Sequence, residues 1–364
     1  MARMGPRHKI TLGAIAVAAA AIAAYVVLGY YGQHAAAVAS IANNPLPARQ
    51  TAGTVVFGVD GVPMNYSRMV QAKSYGIGWT RSDIRLSPSF AAYMRNLSLS
   101  GTNVVGILDY DTVGAMINSN GCFSNCTWNM GAWNSSVHAA VSEYPQVHVW
   151  EIWNEPQIPK YQDGALNSSP YSYYLLLRAA YGIIKAHNAS DTVLCLGGDN
   201  PYSGGLGADP YDYQWAQALW AYGAAEYCDA VSLHVYSAFT YLMSQTPSYQ
   251  GIYGNQTIGE ILNSSLAQYE NLTGKPIWIT EVGIPSGNNQ SYGNLLNDTP
   301  QKQAEFVNQT FTALLSKPYV RAIFWYHMYG YSSPPYNIDF GLFTPGMAPK
   351  PAYYAFRSFA AQQG

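Results

Sequence analysis

Along this chain, short runs of apolar and β-branched residues alternate with longer stretches whose apolar positions recur every three or four residues. The runs lie near 54–61 (TVVFGVDG), 78–84, 103–109, 147–154, 192–197, 230–236, 276–282 and 320–327. Between them, 66–76, 89–100, 170–188, 212–227, 258–272, 300–317 and 351–361 have helical length and period, and a weaker helix is expected around 134–143. A strand that is apolar on both faces is covered on both faces, as in a parallel sheet wrapped by helices. Eight such strands alternating with eight helices over residues 51–364 predict one α/β domain, a single (β/α)8 TIM barrel. The rival is an open doubly wound sheet. That fold ordinarily binds a nucleotide through a glycine fingerprint after its first strand, and Gly58-Val59-Asp60-Gly61 is not one.

The segment before the barrel has a different pattern. Residues 1–9 carry Arg3, Arg7 and Lys9, and an almost unbroken apolar run follows over 10–31. About twenty such residues span a bilayer as a helix, with the basic flank on the cytoplasmic side. The other reading is a cleaved signal peptide, whose apolar core is ordinarily about 7–15 residues; Ala37-Val38-Ala39 offers a cleavage site. Residues 32–50, with Asn43-Asn44-Pro45-Leu46-Pro47, read as a linker. Either reading puts everything after Ser40 outside the cytoplasm, at the cell surface on a membrane anchor or secreted.

Composition agrees with an exterior location. Lys and Arg number 18 against 20 Asp and Glu, a net charge of −2, which excludes electrostatic nucleic-acid binding. Only 10% of residues are charged, where a soluble domain typically has about 25%. The aromatic content of 14% argues against disorder, and 31 Tyr supply part of the missing polarity. Asn-x-Ser/Thr occurs twelve times, at Asn65, Asn96, Asn125, Asn134, Asn167, Asn188, Asn255, Asn263, Asn271, Asn289, Asn297 and Asn308. With 23 Asn and 47 Ser plus Thr in 364 residues, chance gives about three such acceptor motifs. The excess predicts a glycosylated exterior, and sparse charge predicts a surface suited to acidic surroundings. Four cysteines fit an oxidising compartment. Cys122 and Cys126 share a loop, and Cys195 and Cys228 stand near the starts of two neighbouring strands, so each pair is expected to bond; a zinc site lacks the spacing.

In a barrel of this kind the chemistry belongs at the C-terminal ends of the strands. Those ends carry Arg81 and Asp83, Asp109-Tyr110-Asp111, Asn154-Glu155-Pro156, His234 and Tyr236, Glu281, and Trp325. Two carboxylic acids across a barrel mouth are the minimum equipment for cleaving a glycosidic bond, one giving a proton and one ionised. Arg81 and Tyr236 are candidate donors to the ionised acid, and Trp325 is a candidate flat face for a sugar ring. Taken singly, Glu155 reads as a loop cap and His234 as a core histidine. Glu151 shares the parity of Glu155 but lies deeper, as a structural partner.

The segments WEIWNEP (150–156) and WITEVGIP (278–285) resemble clan A glycoside hydrolases. The His-x-Tyr of strand six, His234 and Tyr236, is similar to family 5 cellulase-like members. WTRSDI at 79–84, Trp325 and the ending 340–356 look more like family 39-type sequences. Asp109 and Tyr110 stand where many family 5 members have a histidine. The resemblance implies Glu155 as general acid/base and Glu281 as nucleophile. It further implies Asn154 on the sugar 2-hydroxyl, Arg81 and Tyr236 on the Glu281 carboxylate, and His234 in the same subsite. The expected activity is retaining hydrolysis of a β-linked poly- or oligosaccharide, with the two carboxyls about 5–5.5 Å apart. No cofactor or metal is expected, since His327 has no second ligand at useful spacing, and a monomer is expected. The alternative is a carbohydrate-binding cell-surface glycoprotein without activity.

Overall fold

The computed structural model describes residues 54–63, 65–113, 130–157, 169–199, 211–236, 257–288, 297–330 and 339–362. The apolar run 10–31, the linker, Cys122 and Cys126 lie outside the described residues. No helix among the described residues is long and apolar enough to cross a membrane.

Each expected run forms a strand, and each expected helical stretch but one forms a single helix. In chain order the elements are β1 (Val56–Asp60), α1 (Tyr66–Ser74), β2 (Trp79–Asp83), α2 (Pro88–Ser100), β3 (Asn103–Leu108), α3 (Met130–Glu143) and β4 (Val149–Ile152). They continue with α4 (Pro170–His187), β5 (Thr192–Asp199), α5 (Tyr211–Ala221), β6 (Ala230–His234), α6 (Ile258–Thr273), β7 (Ile277–Val282), α7 (Pro300–Leu315), β8 (Val320–Tyr326) and α8 (Pro351–Ala360). The strands pair in parallel and close as β1-β8-β7-β6-β5-β4-β3-β2. Additions to the plan are a single helical turn at Tyr110–Val113 and a ribbon pairing Gly287–Asn288 with Asn297–Asp298. The stretch expected as one helix over 212–227 divides, because Gly223 takes φ 90° and a 3-10 turn follows over Ala224–Tyr227.

Local chemistry sets where helices begin. Ser87-Pro88, Ser169-Pro170 and Thr299-Pro300 each place a hydroxyl cap before a proline in the first turn. Those hydroxyls accept from the backbone N–H of Phe90, Ser172 and Lys302.

Two apolar layers result. The barrel interior is filled by Val105, Val149, Leu194, Ala230, Trp278, Ala322 and Phe324. Gly58 is required there, since a Cβ would stand 2.3 Å from the Phe324 ring. The larger layer lies between strands and helices. Cys195 of β5 and Cys228, just before β6, form the disulfide expected of them, with both side chains buried.

Candidate active site

The interior filling stops short of the C-terminal strand ends, and polar side chains take over. At the centre is Arg81 of β2, only 1% exposed. Its Nε donates to Glu151 Oε2 at 2.5 Å, its Nη1 to Glu281 Oε1 at 2.7 Å and to Asp60 Oδ2 at 3.3 Å, and its Nη2 to Asn154 Oδ1 at 2.8 Å. A buried cation of this kind is tolerable only when surrounded by acceptors. Glu151 is also held by the Thr280 hydroxyl at 3.2 Å, deep in the barrel, so it has the structural place its parity implies.

Glu281 receives a second donor, the Tyr236 hydroxyl, at 2.5 Å from Oε2. Strict alternation from Trp278, which faces the interior, would turn Glu281 outward. A register irregularity between Ile279 and Glu281 against β6 brings it to the mouth, level with His234. His234, fully buried, joins the two acids: Nδ1 lies 2.8 Å from Glu155 Oε1 and Nε2 3.6 Å from Glu281 Oε1. Its Nε2 also lies 3.3 Å from Arg81 Nη2, which can only donate, so the ring in its neutral form accepts there and donates its Nδ1–H to Glu155.

Glu155 is placed by strained backbone. Trp153 has φ 68° and Glu155 φ 46°, while Leu196 and Gly197 on the neighbouring strand have φ 81° and 54°. The Glu155 N–H donates to Gly197 O at 2.7 Å, and a Cβ on Gly197 would meet Trp153 O at 2.7 Å. Non-glycine residues at such φ cost about 1–3 kcal/mol each and persist where the surroundings impose them.

Electrostatics separate the titrating groups. Burial alone would raise Glu281, but His234, Arg81 and the Tyr236 hydroxyl outweigh it and hold the carboxyl below the usual range. Burial opposes a charge on His234, yet Glu281 and Glu155 outweigh it and raise its pKa. Burial pushes Asp60 up to about 8 despite Arg81, and raises Asp83 and Asp109 too. Burial lowers His327 to about 4.

Glu155, His234 and Glu281 each bring one ligand atom within 4.8 Å of the others, a spacing that suits a cation. Arg81 already stands 2.7 Å from Glu281 and 3.3 Å from His234, so a metal ion there would meet a fixed positive charge.

The structure therefore brings Arg81, Asn154, Glu155, His234, Tyr236 and Glu281 together and leaves Trp325 out. Trp325 is fully buried against Phe306 and Phe311 of α7, and its indole N–H donates to Phe340 O at 2.8 Å. The expected platform is corrected by strand parity: Ala322 and Phe324 face the interior, so Trp325 faces the helices and Tyr326 the mouth. Tyr326 is half-buried, with its ring 6.1 Å from Tyr236. Asp60 was not among the expected site residues, although it ends β1 as Asp83 ends β2; the same strand-end rule finds it.

An eight-stranded barrel with two opposed carboxyls at the ends of β4 and β7, one clamped by an arginine and a tyrosine, has the plan of a carbohydrate-cleaving enzyme. The chain belongs to the glycosyl hydrolase catalytic core family, whose model matches residues 95–338. In fold it is similar to a family 39 glycoside hydrolase from the gut symbiont Bacteroides cellulosilyticus, with a TM-score of 0.59 and 21% identity, covering 84% of this chain and 63% of that one. It is also similar to a β-D-glucuronidase from Dictyoglomus thermophilum, with a TM-score of 0.53 and 14% identity over 85% of this chain and 51% of that one. A third likeness is to a family 128 endo-β-1,3-glucanase from Amycolatopsis mediterranei, in complex with laminaritriose, with a TM-score of 0.50 and 17% identity over 84% and 99%. The chain thus spans less than two thirds of the first two proteins. At these identities the likeness is one of fold. No curated protein matches this chain by sequence.

Proposed function

We propose that this glycoside hydrolase cleaves β-linked poly- or oligosaccharide with retention of anomeric configuration. The observation that carries the reading is the Glu281 carboxylate, held by Arg81 at 2.7 Å and Tyr236 at 2.5 Å, with an oxygen within 4.8 Å of one from Glu155. A gap of that order suits direct attack; an inverting enzyme needs about 6.5–9.5 Å to admit a water. Glu155 gives its proton to the leaving oxygen as the anomeric C–O bond breaks, and Glu281 forms a bond to the anomeric carbon. Glu155, now a carboxylate, takes a proton from water as the water oxygen attacks that carbon and Glu281 leaves. Asn154, fixed by Arg81, is placed for the 2-hydroxyl, and Tyr326 offers the ring face first assigned to Trp325.

Charge supports an uncharged sugar. Among the described strand-end groups, Arg81 is shared by Glu151, Glu281, Asp60 and Asn154, and Arg85 is paired with Asp111 at 2.5 Å. Neither is left over for a sugar carboxylate. The β-1,3-glucanase bound to laminaritriose makes β-1,3-glucan the first polymer to test.

Following the first-formed anomer by NMR tests the mechanism: the β-anomer is expected from a β-linked substrate, and the α-anomer would overturn it. Glu281→Ala is expected to abolish both steps, whereas Glu155→Ala spares substrates whose leaving group needs no proton.

A further inference from the structure

On the outside of the barrel, α4 carries a second aromatic feature that the cleft does not use. Tyr171, Tyr174, Arg178, Tyr181 and Lys185 follow one another at three- and four-residue steps, so they form one stripe on one face of the helix. Tyr222 and Tyr227, from the turns after α5, join the stripe through tilted and edge-to-face contacts. Ring centroids lie 5.1 Å apart for Tyr171 and Tyr222, 5.9 Å for Tyr174 and Tyr227, and 5.9 Å for Tyr181 and Tyr227. Five rings thus make one continuous surface. From Tyr171 to Tyr181 it runs about 15 Å along the helix.

Three properties say what this surface fits. The first is that it is open. Tyr171 is 49% exposed and Tyr222 38%, which packing alone does not require of such large side chains. Gly182 lies on the same face, exposed, and a Cβ there would meet nothing within 4 Å. A glycine inside a surface helix costs about 1 kcal/mol relative to alanine, and no neighbouring atom here demands it; its absent side chain leaves that part of the face clear.

The second is charge. The Arg178 guanidinium lies 5.5 Å over the Tyr174 ring, and Lys185 lies 5.3 Å over Tyr181 while pairing with Asp229 at 2.7 Å. The cations thus cover Tyr174 and Tyr181, and the exposed rings of Tyr171 and Tyr222 are the ones open to a ligand. That complements an uncharged, hydroxyl-rich ligand better than a lipid surface or an anionic polymer.

The third is place. Tyr171 is in the first turn of α4, at the end facing the mouth, and α4 follows the strand that leads to Glu155.

We infer that this tyrosine strip is a surface-binding site for a strand of uncharged polysaccharide, which sugar rings cover by stacking on the phenol faces while the cleft works on the same polymer. It rests on the proposed activity only for the identity of its occupant.

The test separates the strip from the cleft. Glu281→Gln protein is incubated with insoluble β-1,3-glucan, mannan and xylan, and the bound fraction is compared with that of the same protein carrying Tyr171→Ser and Tyr222→Ser. The expected result is binding to at least one polymer that weakens about tenfold when the two rings are removed. With Glu281 intact, hydrolysis of a small soluble aryl glycoside should be unchanged by the same two substitutions. Gly182→Gln is the second variant. It puts a good helix former into open space, so the thermal midpoint should hold or rise while polymer binding falls. Binding unaltered in both variants, or no binding to any polymer, would overturn the site. Strip-dependent binding without turnover of any glycoside by the wild type would instead sink the proposed activity and leave the strip standing.

Discussion

Glu281 is buried, and burial by itself disfavours the ionised form that attacks a sugar. His234, Arg81 and Tyr236 reverse that, and Tyr236 is the one that can be removed with least disturbance, since phenylalanine keeps the ring. Tyr236→Phe leaves Arg81 on Oε1 but strips the 2.5 Å bond from Oε2. The Glu281 pKa should rise, moving the acid limb of kcat/KM to higher pH, and kcat should fall about 10²-fold. An unmoved acid limb would show that His234 and Arg81 fix the charge without the phenol. Single residues are also where sequence reading has its limits. Arg81, His234 and Tyr236 stand out because a charged or hydroxylated group inside an apolar strand demands a partner. Trp325 failed as a platform because a tryptophan is as much at home under a helix as over a sugar, and one step of strand parity decides between them. Asp60 does not stand out in the sequence because Asp-Gly after an apolar run resembles an ordinary turn.

Elements were easier to read than side chains. Doubly covered strands leave long apolar signals, and serine–proline or threonine–proline pairs mark helix starts at Pro88, Pro170 and Pro300. What the pattern did not carry was the break at Gly223, where one backbone angle ends α5, or the irregularity of β7 that turns Glu281 inward. Neither changes hydrophobic periodicity enough to register. The Cys195–Cys228 bond ties β5 to the start of β6 across a separation of 33 residues. In the chain-entropy account a loop of that length contributes about 3–4 kcal/mol. Cys228→Ser should therefore lower the thermal midpoint by several degrees while leaving kcat nearly unchanged, because Cys195 faces the helix layer rather than the barrel mouth. Calorimetry alongside an activity assay checks both halves of that expectation.

Taken as a whole, the molecule has a direction to its pH dependence. Asp60, at about 8, keeps its proton in the folded chain while an unfolded aspartate has lost it above about 4. Stability therefore falls as pH rises between those values, and Asp83 and Asp109 act in the same sense. His234, raised, contributes below the ordinary histidine value and loses its contribution as pH rises through its folded pKa. Two groups oppose this in acid. Glu281 contributes above the usual carboxylate range and loses it as pH falls through its lowered value, and His327, at about 4, loses its part between about 6.5 and 4. The thermal midpoint should peak in mild acid and decline toward pH 8, with the decline shallower in Asp60→Asn; a midpoint still climbing at pH 8 would contradict it. Sparse surface charge fits the same surroundings. We also propose that residues 10–31 hold the barrel on the outer side of a membrane. Cell fractionation with protease treatment of intact cells should find it sedimenting with membranes and accessible, whereas a soluble form starting near Ser40 would favour a cleaved leader. Arg81 has one more consequence. It reaches from β2 to Asp60 of β1 and Glu151 of β4, but also to Glu281 of β7 and His234 of β6. A chain cut between β4 and β5 would give one fragment holding the proton donor and the guanidinium, and another holding the attacking carboxylate and its phenol. The second would hold the Glu281 carboxylate without its guanidinium, so the two fragments would be inert apart and would regain turnover only by recombining.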